Sequence, residues 1–94
     1  MGKLLILTRY IFLIYSVNIN ESRKHIHVTF NRKGYKKSCK FWLEPEAILD
    51  ENKKGEFSVK ELKEIKELVI ENKLVLLAQL ELFYTNHLVK AIKR

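Results

Sequence analysis

The sequence predicts an α+β fold: a small antiparallel sheet of three or four strands, then a C-terminal helix or a kinked helix pair. Three observations carry this. Apolar and polar residues alternate with period two from His25 to Phe30 and again from about Tyr35 to Leu43. Asn31, Arg32, Lys33 and Gly34 between them have the composition of a hairpin turn, with Gly34 suited to a positive φ. Beyond Ser58 the apolar residues recur at three- and four-residue steps, the spacing of one helical stripe.

The first element is the apolar run from Leu4 to Val17. It is shorter than the roughly 20 residues a membrane span needs, Thr8 and Arg9 interrupt it, and it lacks a small-residue cleavage site. Its aromatic and β-branched composition, Tyr10 to Tyr15, fits a strand with both faces covered, and no membrane contact is expected. Asn18 to Lys24 reads as a polar connection. In the second strand Ile26, Val28 and Phe30 share one face, and His25, His27 and Thr29 the other. In the third, Cys39, Phe41 and Leu43 alternate with Ser38, Lys40 and Trp42, so the two apolar triads can face one core. Pro45 ends that strand, and Ala47, Ile48 and Leu49 offer a short fourth.

The helix start is the most sharply specified local feature. Ser58 can cap, Glu61 can reach back to the Ser58 amide, and Phe57 can pack on Leu62, a capping box with its hydrophobic staple. Leu62, Ile65, Val69, Leu76, Leu80 and Phe83 continue the stripe, and the polar Asn72 on it predicts a kink or break. Leu74 to Tyr84 is apolar nearly all round, so this segment needs cover on more than one side, from its own chain or from another. Leu74, Leu77, Leu82 and Phe83 are therefore candidates for a protein interface. The expectation is one domain over residues 1–94, with the sheet at about 4–50 and the helical segment at about 58–92.

Composition narrows the partners. The chain of 94 residues carries a formal charge of +7, and its cations are concentrated. Between Asn18 and Lys40, Arg23, Lys24, Arg32, Lys33, Lys36, Lys37 and Lys40 stand against the single acid Glu21. Such an asymmetry points one face at an anionic partner, with nucleic acid the commonest candidate, although a charge run also serves solubility. Cys39 is the only cysteine, which excludes an intramolecular disulfide and fits a reducing compartment, the cytoplasm. No phosphate-binding glycine loop, nucleophile elbow or spaced acidic pair is present, and no cofactor is expected.

The residues with chemistry to offer are few. His25 and His27 share a strand face, and Lys40 and Trp42 join them if the hairpin register is as inferred. A base, an acid, a cation and a stacking platform would together suit metal-independent RNA cleavage through the 2′-hydroxyl. The structural alternative has one histidine bonded into the connection at Asn20 or Glu21 and the other packed on Trp42. Trp42 itself has three readings: a base-stacking platform, an anchor for a protein, or a side chain covered by the last helix. A metal site is not expected, because Cys39 alternates to the opposite face and His87 is remote in sequence.

Several of these residues occur in a familiar combination. Tyr15-Ser16, His25-Ile26-His27-Val28, Lys40-Phe41-Trp42-Leu43-Glu44-Pro45, Gly55, Phe57-Ser58, Glu61-Leu62 and Glu71-Asn72 resemble the bacterial family catalogued as domain of unknown function 4160, from about Tyr10 to Tyr84. Where that family usually has a proline pair before the His-x-His strand, this chain has Arg23-Lys24; where it usually has a tryptophan in the last helix, this chain has Leu80. The resemblance implies an association of toxin–antitoxin type. It further implies a protein partner, either an adjacent-gene product or a second copy, with RNA as a further candidate target. It implies no catalytic residues.

Overall fold

In a computed structural model the described residues are 2–7, 9–15, 24–31, 37–52, 57–86 and 89–94. The expected turn around Gly34, the connection at Asn20 and Glu21, and His87 lie outside them. So do Arg23, Arg32, Lys33 and Lys36. The elements run β1 (Gly2–Ile6), β2 (Tyr10–Ile14), β3 (His25–Phe30), β4 (Ser38–Trp42), β5 (Ile48–Asn52), α1 (Val59–Glu71), α2 (Lys73–Asn86) and β6 (Ile92–Lys93). They form one six-stranded sheet in the order β5-β4-β3-β2-β1-β6, antiparallel except where β6 lies parallel to β1.

The class is α+β as expected, but the sheet has more strands than the three or four predicted. Where the sequence predicts one strand in the run from Leu4 to Val17, its described residues belong to two, β1 and β2. Between the two the chain reverses direction, and the Leu7 amide donates to the Tyr10 carbonyl at 2.9 Å. Because the residues on both sides of Thr8 and Arg9, from Leu4 to Leu7 and from Tyr10 to Ile14, are all apolar or aromatic, the run shows no change of period to betray the turn. The other unforeseen strand is β6: the helices end at Asn86, and Ile92–Lys93 pairs with Leu5 and Ile6.

Ile26 and Val28 of β3 and Cys39 and Phe41 of β4 face the helices, joined by Leu4, Leu5, Phe12 and Ile14, and all are buried. Ile65 and Val69 of α1 and Leu76, Leu80 and Phe83 of α2 close this core. Helix α2 comes so close to β1 that a Cβ on Gly2 would sit 2.7 Å from Phe83 Cδ1, so only glycine fits there without displacing a buried ring.

The capping box forms as expected: the Glu61 amide donates to Ser58 Oγ at 3.1 Å, and the Ser58 amide to Glu61 Oε1 at 2.9 Å. These contacts hold the Glu61 carboxyl below its usual pKa, the Ser58 backbone bond first among the causes and the Lys37 ammonium adding to it. Asn72 divides the helical segment into a pair. Its side-chain amide donates to the Leu68 carbonyl at 2.9 Å, and its Oδ1 accepts from Arg94 Nη1 at 3.0 Å. A buried polar residue is thus satisfied by the preceding turn and by the returning C-terminal strand.

Gln79 does the same for β1. The extra residue Leu4 makes a bulge in the β1–β2 ladder, which leaves its carbonyl off the regular pairing. Buried Gln79 Nε2 donates to that carbonyl at 2.9 Å and to the Lys90 carbonyl at 2.7 Å, tying α2, β1 and the approach to β6 together.

Candidate functional site: the sheet face without helices

Register decides which side chains meet on the second face of the sheet. His25 lies opposite Trp42, His27 opposite Lys40 and Thr29 opposite Ser38. On the other flank Leu13 pairs with His27, and on the far side Ile48 pairs with Trp42. The strand period therefore places Leu13, His25, His27, Lys40, Trp42 and Ile48 on one surface, away from both helices.

The rings on this surface form a continuous file. Tyr15 meets His27 with ring centroids 4.7 Å apart, His27 meets His25 at 5.4 Å, and His25 meets Trp42 at 5.6 Å, each edge to face. That arrangement aims positive ring edges at negative ring faces. Lys40 completes the file, its Nζ 4.5 Å from the Trp42 ring centroid and 3.7 Å from Asp50 Oδ2. Exposure is graded along it. His25 is fully buried, His27, Lys40 and Trp42 are half-buried, and Tyr15 and Ile48 reach the surface at 41 % and 38 %.

This grading sorts the candidates for chemistry. His25 has no accessible surface on which to meet a substrate proton. His27 and Lys40 are closer to solvent. Trp42 is not covered by the last helix, which packs on the opposite face. Cys39 faces the core, where burial pushes its thiol pKa up to about 12, so it stays a protonated, small apolar side chain. Among the described residues no group of three or more His, Cys, Asp and Glu is arranged to hold a metal.

The basic set divides too. Lys24 is half-buried at the start of β3. Lys37 turns to the helix side, where its Nζ is 2.9 Å from Glu61 Oε1 and lies over the Phe30 and Phe57 rings at 5.3 and 5.7 Å. It serves the junction of hairpin and helix, a role that counting charges could not separate from partner binding.

The interface candidates on α2 also part company. Phe83, expected at an interface, is 2 % exposed and belongs to the chain's own core, and Leu77 packs against that core. Leu74 and Leu82 remain exposed, at 83 % and 49 %, and Ile70 on α1 is exposed as well. Among the described residues no helix is long and apolar enough to cross a membrane.

A second group escaped the sequence reading altogether. Leu7, Arg9, Tyr10, Glu64, Leu68 and Arg94 line a cavity of about 260 Å³ beside α1. They come from three distant stretches, and only the β1–β2 reversal and the return of β6 bring them together.

The chain matches the model of the family described as Domain of unknown function (DUF4160) over residues 10–81. No curated protein and no solved structure matches the chain.

Proposed function

Since the chain belongs to the DUF4160 family, whose description assigns no activity, we propose from its own residues a non-catalytic interaction protein that contacts single-stranded RNA through the helix-free sheet face. The observation that carries this reading is the set of partly exposed rings Tyr15, His27 and Trp42, with buried His25 packed between the last two and Lys40 held over the indole. Sequence-tolerant RNA binding needs flat rings for bases and cations for phosphates on one surface. Arg23, Lys24, Arg32, Lys33 and Lys36 flank that surface in sequence, Lys40 lies on it, and together they supply the phosphate contacts in this proposal. The burial of His25 favours binding over the alternative, a ribonuclease using His25 or His27 with Lys40.

A protein partner belongs to the same proposal, in the toxin–antitoxin-type, bacterial and cytoplasmic setting that the family resemblance implies. Ile70, Leu74 and Leu82 favour it, because exposed apolar side chains spaced along a helix pair suit a protein surface.

Anisotropy titration of a labelled single-stranded RNA at rising salt tests the RNA reading. Affinity should fall linearly on logarithmic axes, and Lys33→Gln with Lys36→Gln should flatten the slope by about 1.4, at ~0.7 for each of the two phosphates no longer neutralised. Salt-insensitive binding, or none, removes RNA. Cleavage of the RNA that His27→Ala abolishes in a folded protein would establish the enzyme instead.

A further inference from the structure

The two edges of the sheet carry opposite charge. Strand β5 stands at one end of the strand order and β6 at the other, and among the described residues neither has a partner strand on its outer side. From Glu44 to Asn52, across the β4–β5 connection and β5 itself, there are four acids, Glu44, Glu46, Asp50 and Glu51, and no lysine or arginine, in a chain of net charge +7. From Lys90 to Arg94, on β6 and its approach, there are three cations and no acidic side chain. Glu46 and Asp50 are exposed at the first edge, Lys90 and Lys93 at the second. Arg94 is engaged by Asn72, and Asp50 reaches Lys40 only at 3.7 Å, the kind of exposed pair that contributes little.

Apolar side chains accompany the charges. Ile48 and Leu49 on β5 are each 38 % exposed, and Ile92 on β6 is 37 % exposed. Register assigns their sides. Leu49 lies opposite buried Phe41 and Ile92 opposite buried Leu5, so both stand on the helix-covered side of the sheet. Ile48, opposite Trp42, and Lys93, opposite Ile6, stand on the helix-free side.

Charge at an edge keeps like edges apart. A β5 edge against a second β5 sets acids against acids, and β6 against a second β6 sets lysines against lysines; like charges across a strand pair are destabilising. Only β5 against β6 brings unlike charges together. We infer that the β5 edge of one chain receives the β6 edge of a second copy, extending the sheet from molecule to molecule. Through the antiparallel ladders and the parallel β1–β6 pair, β5 and β6 run in the same direction, so a copy that keeps its helices on the same side pairs these edges in parallel. Ile92 then meets Leu49 on the helix side, and Lys93 lies beside Ile48 and Asp50 on the other, a strand addition with main-chain bonds and matched side chains. The contact is heterologous, so each added copy presents a further edge and assembly does not stop at a dimer. Because β6 has only two residues, the contact is small, and charge makes it sensitive to salt. It involves the rims of the sheet rather than the face proposed for RNA, and it is tested without RNA.

Sedimentation velocity of the full chain, freed of nucleic acid, from about 10 μM to about 1 mM is the test. At about 50 mM salt the average mass should rise with concentration past that of a dimer, and about 500 mM salt should weaken association severalfold. Lys93→Glu or Asp50→Lys alone should weaken it about tenfold, and the two in one chain, which restore an unlike pair, should recover much of the loss. Leu74→Lys, on the exposed side of α2, should leave it unchanged. Circular dichroism checks that each variant is folded. A monomer throughout, a plateau at the dimer, or association that both folded edge variants leave intact overturns the inference. So does a double variant that recovers nothing, or association that Leu74→Lys abolishes.

Discussion

The two faces of the sheet use the same strands to opposite ends. On the helix-covered face Ile26, Val28, Cys39 and Phe41 are almost wholly buried, and each is apolar. On the other face the intervening positions hold His25, His27, Lys40 and Trp42, which pack on one another edge to face with a lysine over the indole. The first face gains stability from area removed from water; the second holds groups that can still hydrogen-bond, stack or attract an anion. Burial alone therefore does not separate core from site here, since His25 is as buried as Ile26.

Substitutions sharpen this contrast. Ile26→Ala, in the middle of the covered face, should cost about 3 kcal/mol through reduced burial and the cavity left behind, read as a shift in urea midpoint. His27→Ala, its neighbour on the other face, should cost about 1 kcal/mol or less. Equal losses would make both faces structural core and remove the distinction. Gln79→Leu comes next: it leaves the buried Leu4 carbonyl without its donor, removes the bond to the Lys90 carbonyl, and should cost about 2 kcal/mol, with faster amide exchange in β1 and β6.

Ser58→Ala is the smaller effect, about 1 kcal/mol at neutral pH, because it removes one half of the capping box. A pH series adds a sign. Glu61 has a lowered pKa in the folded protein, so its stabilisation is present above the unfolded value of about 4.3 and is lost as pH falls through the folded one. Stability should therefore decline on the acid side of that value, and the decline should be shallower in Glu61→Gln. Identical acid profiles would place the titrating group elsewhere.

Much of the covered face was legible in the sequence because one period governs it. The alternation in His25–Phe30 and Ser38–Trp42 named the inward residues, and Ser58, Glu61 and Asn72 marked the start and the division of the helices. What escaped depends on contacts distant in sequence. The β1–β2 reversal is hidden inside a run that is apolar on both sides of Thr8 and Arg9. Strand β6 is two residues whose place is set by Leu5 and Ile6, by Gln79 near its approach and by Arg94 reaching Asn72. The helix-free face was legible as a set of residues, but the burial of His25 and the diversion of Lys37 to Glu61 needed coordinates.

The central claim is that the helix-free face is where RNA is received. Trp42 is the only tryptophan, so its fluorescence reports on that face alone. Single-stranded RNA should quench it saturably, with the same midpoint as anisotropy, and Trp42→Leu should weaken binding by about tenfold, within the ~1–3 kcal/mol that a stacked base contributes. RNA binding seen by anisotropy with Trp42 emission unchanged, and with Trp42→Leu binding as tightly as the unmodified chain, would contradict the account.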